Sequence, residues 1–170
     1  MVAIKTMNEL IYFEKALQFL NEIGVETSYQ NIDDKDGFLP GFLIKQGKII
    51  IDKSKVKFHG DILHEAAHIA VTPANERAYL NGKNIGERKD AAAEEMMAIA
   101  WTYAACIYLA IDPIFVFHEN GYKGGGAAIV ADFKKGNYFG VPVLEWQGMT
   151  VTVSEKNQLI FPAMIKWMRD

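Results

Sequence analysis

The segment DILHEAAHIA (61–70) holds two of the four histidines in this chain of 170 residues. On a helix, His64 and His68 would lie on one face, with their Cβ atoms about 5–6 Å apart. Both imidazoles could then reach one zinc ion at the usual Zn–N distance of about 2 Å. Glu65 is offset by about 100°, so it can reach a metal-bound water but cannot easily be a ligand. The spacing therefore predicts a zinc site with Glu65 as general base; the alternative is a buried helix with hydrogen-bonded histidines.

A catalytic zinc site normally has three protein ligands and one open position, so a third ligand must come from elsewhere in the chain. The extended motif HExxHxxGxxH is excluded, because Val71 and Ala74 stand where it needs glycine and histidine. The other common arrangement takes a glutamate from the following helix.

Two adjacent glutamates, Glu94 and Glu95, stand near the start of the next predicted helix, DAAAEEMMAIAW. Carboxylates near a helix start also complement the helix dipole, which is the alternative explanation for them. The rest of that helix is apolar, so at least one glutamate should point inward and need a cation or a donor. We favour Glu95, which shares a helix face with Thr102, and keep Glu94 as the alternative ligand. More distant candidates are Asp90 and His118.

Hydrophobic periodicity and turn residues predict the elements that would position these side chains. Thr6 and Glu9 have capping-box spacing and Gly24 can end a helix, so we expect a helix over 7–23. The helix with the two histidines is expected over 54–71, ending before Pro73. The other predictions are a strand in 25–30, a polar turn in 31–37, a hairpin from 38–46 and 48–53, a helix over about 90–110, a strand in 114–117, a glycine-rich loop in 118–126, a short helix in 127–135, and extended segments in 140–146 and 149–155. Together they predict one α+β domain over 1–170, with a small hairpin-containing sheet packed against the HExxH helix and a second long helix.

With these motifs in this order, the chain resembles the zincin metallopeptidases, specifically the gluzincin pattern of HExxH with a downstream glutamate. The order of helix, β-hairpin, HExxH helix, loop and glutamate-bearing helix is similar to the minimal zincin core of the bacterial ImmA/IrrE type. The segment EMMAIA (95–100) can be aligned with that family's E-A-N-x-F-A, with Glu95 as the ligand, although Met96 and Met97 replace Ala-Asn. The resemblance covers about residues 48–113 and leaves 114–170 outside it.

The resemblance implies a zinc-dependent metallohydrolase, in the first place a peptidase acting on a peptide or protein substrate. Zinc held by His64, His68 and a glutamate would lower the pKa of a bound water. Glu65 would accept the proton of that water and pass it to the leaving amine. The alternative function is a zincin-like binding or regulatory domain without hydrolytic activity, in which replacing Glu65 would change little.

Supporting side chains are expected around such a site. Asp61 stands one turn before His64 and could accept a hydrogen bond from a ligating histidine. The glycine-rich loop offers three candidates for oxyanion stabilisation, His118, Tyr122 and Lys123, although a surface turn is the favoured interpretation of this loop. His59 falls on a different part of the helix and is expected not to be a ligand.

Composition and charge argue against a nucleic-acid-binding protein and a membrane protein. The net charge is −3 and the basic residues are scattered, so no nucleic-acid-binding surface is expected. No apolar run reaches the roughly 18–20 residues of a membrane span, and Glu9, Glu14 and Lys15 interrupt any signal-peptide pattern. We therefore expect a cytoplasmic protein without a membrane partner. Cys106, the single cysteine, is predicted to be a core thiol. The sequence leaves the oligomeric state open.

Overall fold

The computed structural model describes the backbone of residues 2–33, 39–155 and 158–170, and the side chains of 7–33, 39–152 and 161–170. Most of the polar turn predicted in 31–37 lies outside the described residues. The helices are α1 (Val2–Glu22), α2 (Asp61–Val71), α3 (Ala91–Tyr108), α4 (Gly126–Lys134) and α5 (Val141–Trp146). The strands are β1 (Thr27–Tyr29), β2 (Phe42–Lys45), β3 (Lys48–Ile51), β4 (Val153–Glu155) and β5 (Gln158–Ile160). The α+β class is therefore confirmed. None of the helices in these described parts of the chain has the length and apolar character needed to cross a bilayer.

Helix α1 ends as the sequence predicts but begins earlier. The predicted cap at Thr6 is wrong, because α1 already begins at Val2 and Thr6 lies inside it. At the other end, Gly24 adopts a φ of 85°. The Val25 N–H donates to the Leu20 carbonyl at 2.8 Å, and the Gly24 N–H donates to the Asn21 carbonyl at 3.2 Å. These bonds form a Schellman motif, which satisfies the last carbonyls of the helix and turns the chain toward β1.

The predicted hairpin is confirmed and forms most of a three-stranded sheet. Strands β2 and β3 are antiparallel, and β1 adds to β3 in parallel, giving the order β1-β3-β2. The turn residues Gln46 and Gly47 both have positive φ, 53° and 71°, as a tight two-residue hairpin turn requires. The sheet buries one apolar face in the core, made by Phe42, Ile44, Ile49 and Ile51.

Helix α2 begins seven residues later than expected, because a turn at Asp52–Ser54 keeps the chain before it out of a helix. The Asp52 carboxylate accepts hydrogen bonds from the Ser54 N–H at 3.1 Å and the Ser54 hydroxyl at 2.6 Å, holding a turn at this point. Gly60 lies so close to the next layer that a Cβ there would be 2.0 Å from the Phe115 carbonyl oxygen. The end of α2 is confirmed: Thr72, before Pro73, has an extended ψ of 136°.

Helices α2 and α3 pack directly against each other, and α2 also contacts α1 and the hairpin. Both helices are rich in alanine, which lets their backbones approach closely. Leu63, Ala67 and Val71 on α2 are fully buried, as are Trp101 and Cys106 on α3. Burial of each large aliphatic or aromatic side chain stabilises the fold by about 1.5–3 kcal/mol. This apolar interface fixes the histidine-bearing helix against the glutamate-bearing one.

Two predictions in the last third of the chain are wrong. Residues 114–117 do not form a strand: Pro113–Phe115 is a short 3₁₀ helix, whose first turn is capped by the Asp112 side chain accepting from the Ile114 N–H at 3.1 Å. Residues 140–146 are not extended either, since Val141–Trp146 is helical with proline in its first turn. Proline is well suited to that position because its fixed φ is already helical. The short helix predicted in 127–135 is confirmed as α4.

Candidate metal centre

Three side chains from two helices converge at the α2–α3 interface. Helical spacing places His64 and His68 on one face of α2, with ring centroids 4.7 Å apart. Glu95 reaches them from the first part of α3, with Oε1 lying 3.6 Å from His64 Nε2 and Oε2 lying 3.5 Å from His68 Nε2. One ligand atom from each of the three residues lies within 4.8 Å of the other two. The group could therefore hold a metal ion.

The donor set and the protonation states suit such an ion. Two ligands that each lie about 2.0–2.1 Å from a tetrahedral ion are about 3.3–3.4 Å apart. The two nitrogen–oxygen distances are close to this value, and each runs to a different oxygen of the Glu95 carboxylate. Burial lowers the pKa of His68 to about 4, against the opposing effect of the Glu94 charge. The pKa of His64 is also lowered, by burial and then by neighbouring His68. Both imidazoles are therefore neutral near pH 7, which is the form that binds metals.

Glu65 is the buried carboxyl group between the two histidines in sequence. Burial raises its pKa to about 8, and the negative charges of Asp61 and Glu95 add to this effect. A carboxyl group whose pKa lies near neutrality can both accept and return a proton at physiological pH. The electrostatic environment of Glu65 is therefore that of a general base or acid rather than of a surface carboxylate.

The structure separates the two glutamates between which the sequence left a choice. Glu94 accepts two hydrogen bonds from Arg88, from Nε at 2.5 Å and from Nη2 at 2.8 Å. Its carboxylate is thus paired with Arg88, and the group formed by His64, His68 and Glu95 does not include it. Asp90 is not part of this group either.

Asp61 pairs with a different histidine from the one expected. Its Oδ1 lies 2.9 Å from Nε2 of His118, whose ring stacks on Phe58 at a centroid distance of 4.1 Å. Burial raises the pKa of Asp61, with His118 acting in the opposite direction. The pair connects the glycine-rich loop to the start of α2. Neither side chain is a hydrogen-bond partner of His64 Nδ1. His64, His68 and Glu95 form the candidate metal group, and His59 is not part of it.

Tyr122 extends from the glycine-rich loop onto the metal group. Its backbone is left-handed, with a φ of 51°, and its ring meets the His64 ring edge-on at 5.3 Å. Burial, and then the charges of Glu95 and Asp61, raise the pKa of its hydroxyl, which keeps its proton. The adjacent Lys123 is exposed.

Four buried polar atoms have no hydrogen-bond partner among the described residues. They are the Tyr122 hydroxyl, Nδ1 of His64, Nδ1 of His118 and the Thr102 hydroxyl. An unsatisfied buried polar group costs about 1–3 kcal/mol, so such groups are rare without a functional reason. Tyr122 and His64 are in ring contact, and the unpaired Tyr122 hydroxyl can bind a ligand or water beside the metal group.

Sequence reasoning missed the side chains that hold Glu94. Arg88 lies in the polar loop before α3, and Arg169 lies near the other end of the chain, with Nη1 3.9 Å from Glu94 Oε1. No fixed spacing connects either arginine to the glutamate, so no motif could have found them.

No protein-family model, curated protein or solved structure matches this chain. The case for a metal centre therefore depends on the geometry of these side chains.

Proposed function

We propose that this protein is a zinc-dependent metallohydrolase of the zincin type that cleaves peptide bonds. The observation that carries the proposal is the convergence of His64, His68 and Glu95, whose ligand atoms lie within 4.8 Å of one another. Two imidazoles and one carboxylate are a ligand set found in catalytic zinc sites, whereas Ca²⁺ and Mg²⁺ prefer oxygen ligands alone. Three protein ligands leave the fourth position open, as catalysis requires.

Glu65 is the general base of the proposed reaction. When bound, zinc supplies a Lewis acid that lowers the pKa of a coordinated water and polarises the substrate carbonyl. Glu65 accepts the proton of the attacking water and delivers it to the leaving nitrogen. Its pKa of about 8 applies to the side chain among its protein neighbours alone. A nearby cation stabilises the carboxylate and lowers this value, which favours the proton-accepting form at neutral pH.

Tyr122 is the proposed donor to the oxyanion. Its hydroxyl is buried, unpaired among the described side chains and held against the His64 ring. It can donate a hydrogen bond to a carbonyl oxygen as negative charge develops there. The His118–Asp61 pair anchors the loop that carries Tyr122, so it positions the hydroxyl without taking part in the chemistry.

A peptide library with fluorescence-quenched substrates tests this proposal. The comparison is between zinc-loaded wild type, Glu65→Gln, and Glu87→Gln as a matched control in an exposed 3₁₀ turn. We expect peptide cleavage by wild type and by Glu87→Gln, and a loss of about 10²–10⁴-fold in Glu65→Gln with its zinc retained. Zinc-loaded wild type that cleaves no peptide would contradict the proposal and favour a binding or regulatory domain.

A further inference from the structure

The two adjacent glutamates at the start of α3 have opposite environments. The Glu94 side chain is only 7% exposed and is bound by the guanidinium of Arg88 through two hydrogen bonds. The Glu95 side chain is 45% exposed and faces the two histidines. Neighbouring positions on a helix differ in direction by about 100°. Fixing the Glu94 carboxylate therefore also fixes the direction in which Glu95 points.

Arg88 is itself held rigidly. Besides Glu94, it donates from Nη2 to Oε2 of Glu76 at 2.8 Å. The hydrogen bonds to Glu94, and then the one to Glu76, raise the pKa of Arg88 above its usual range. A bidentate guanidinium–carboxylate pair is also planar, so it restricts rotation as well as distance. The loop before α3 thus holds the first turn of the helix in one orientation.

Arg169 connects the same glutamate to the other helix. Its backbone N–H donates to the Ala70 carbonyl at 2.9 Å, and its Nη1 donates to the Val71 carbonyl at 3.1 Å. These carbonyls belong to the last turn of α2, where a helix has no partners of its own for them and a positive charge is favourable. The same Nη1 lies 3.9 Å from Glu94 Oε1. Arg169 therefore spans from the end of α2 to the start of α3.

We infer that Arg88, Glu94 and Arg169 act as a clamp that positions Glu95 relative to His64 and His68. The spacing of the two histidines is set within α2, but the distance from them to Glu95 depends on how α3 is placed and rotated. The apolar interface sets the placement of α3, and the clamp fixes the rotation of its first turn from outside the ligand set. The inference rests on the metal-binding half of the proposed function and is independent of the hydrolytic half.

The clamp also keeps a competing carboxylate away from the site. Without Arg88, Glu94 would be a buried charge without its hydrogen-bonded partner, which is strongly unfavourable. The first turn of α3 would then shift to expose Glu94 or to bring it toward the metal. Either shift moves Glu95, so removing Arg88 should weaken metal binding although Arg88 contacts no ligand.

Zinc affinity, measured by competition with a chromophoric chelator, tests the clamp. We expect Arg88→Gln to weaken zinc binding by about tenfold or more, as loss of a group that orients a ligand typically does. Arg169→Gln should weaken it less, because its distance to Glu94 is longer. Glu94→Gln should weaken it less than Arg88→Gln, because it leaves no unpaired buried carboxylate. The double variant should recover part of the affinity lost in Arg88→Gln, since the two residues act as one unit.

Arg77→Gln is the matched control. Arg77 also binds this end of α2, donating from Nε to the Thr72 carbonyl at 3.0 Å, and it contacts the Arg169 carbonyl. None of its described contacts is with Glu94. We therefore expect its loss to lower the unfolding free energy of the metal-free protein but to change zinc affinity by less than about threefold. Arg88→Lys keeps the charge without the planar fork, and should restore part of the affinity lost in Arg88→Gln.

Cobalt spectra provide a second measurement on variants that circular dichroism shows to be folded. Co²⁺ bound by wild type should give the intense visible bands of tetrahedral coordination, and Arg88→Gln should shift or weaken them. Wild-type affinity and an unchanged cobalt spectrum in Arg88→Gln would overturn the clamp alone. A loss of zinc affinity in Arg77→Gln as large as that in Arg88→Gln would also overturn the clamp. A wild-type protein that binds neither metal would overturn the proposed function together with the clamp.

Discussion

The Nε2 atom of His68 lies 3.5 Å from Oε2 of Glu95, although the two residues belong to different helices. The contact sits where the apolar interface between α2 and α3 gives way to solvent. At neutral pH it joins a neutral imidazole to a carboxylate, a pairing that a shared cation would stabilise strongly. The packing of two helices, rather than any local motif alone, therefore assembles the candidate metal centre.

The buried Glu65 carboxyl should make the stability of the metal-free protein depend on pH. Its pKa is 4.5 unperturbed and about 8 when folded, so the folded state holds the proton more tightly. Its contribution to stability is full below the unfolded value and is lost as pH rises through about 8. The Glu65→Gln side chain cannot titrate. Between pH 4.5 and about 8, the unfolding free energy of this variant relative to wild type should therefore rise, by up to roughly 4 kcal/mol. Urea unfolding of both proteins in EDTA, at pH 5 and at pH 8.5, measures this difference in unfolding free energy. An equal difference at the two pH values would contradict the buried position of Glu65.

Gly60 should be intolerant of a side chain. A Cβ there would lie 2.0 Å from the Phe115 carbonyl oxygen, and the backbone would have to move at the start of the histidine-bearing helix. We expect Gly60→Ala to lower the unfolding free energy by about 1–3 kcal/mol or more. Gly86→Ala is the matched control, because nothing lies within 4 Å of its added Cβ. Denaturant unfolding of both variants measures the difference, and equal stabilities would show that the close approach at Gly60 is absent.

Tyr122→Phe should separate stability from activity. Removing a buried hydroxyl that has no partner among the described residues relieves an unsatisfied group. We therefore expect the unfolding free energy to stay unchanged or to rise by about 1 kcal/mol. If the hydroxyl stabilises the oxyanion, kcat should fall by about 10²-fold with little change in KM. Steady-state kinetics and thermal unfolding of the zinc-loaded proteins measure both quantities. An unchanged kcat would remove Tyr122 from the mechanism.

Cys106 should be unreactive in the folded protein. Its thiol is fully buried, and burial raises its pKa well above the usual range, so almost no thiolate forms at neutral pH. We expect a chromogenic disulfide reagent to modify it at the rate of unfolding in native buffer and rapidly in denaturant. Rapid modification in native buffer would contradict its position in the core.

Local pattern was sufficient for the elements that carry the site. Periodicity, the glycine after α1 and the proline after α2 placed the ends of helices, and the β-rich segments around Gly47 gave the hairpin. The same reasoning brought His64 and His68 to one face. It could not decide between Glu94 and Glu95, because that choice depends on Arg88 and Arg169, which reach Glu94 only through the tertiary fold.

Local caps and turns explain three of the wrong predictions. In 114–117 and 140–146, β-branched and aromatic residues suggested strands. A residue that begins a helix stands at or just before the start of each segment, and a short helix forms in each instead. Asp112 caps one short helical turn, and Gly140, with a φ of 77°, begins the other. In 54–60 the apolar spacing was helical, yet the Asp52–Ser54 turn holds the chain in another conformation. Proline at the second position of Val141–Trp146 is a helix-start signal that could have corrected the interpretation.

The metal content of the purified protein, measured by elemental mass spectrometry after incubation with zinc and removal of the excess, tests the central claim most directly. Wild type is compared with His68→Ala and with His59→Ala, a histidine that packs on Phe13 and lies outside the metal group. We predict about one zinc per chain in wild type and in His59→Ala, and its loss in His68→Ala, since a catalytic site needs all three ligands. Wild type without stoichiometric zinc, or His68→Ala that retains as much as wild type, would contradict the account.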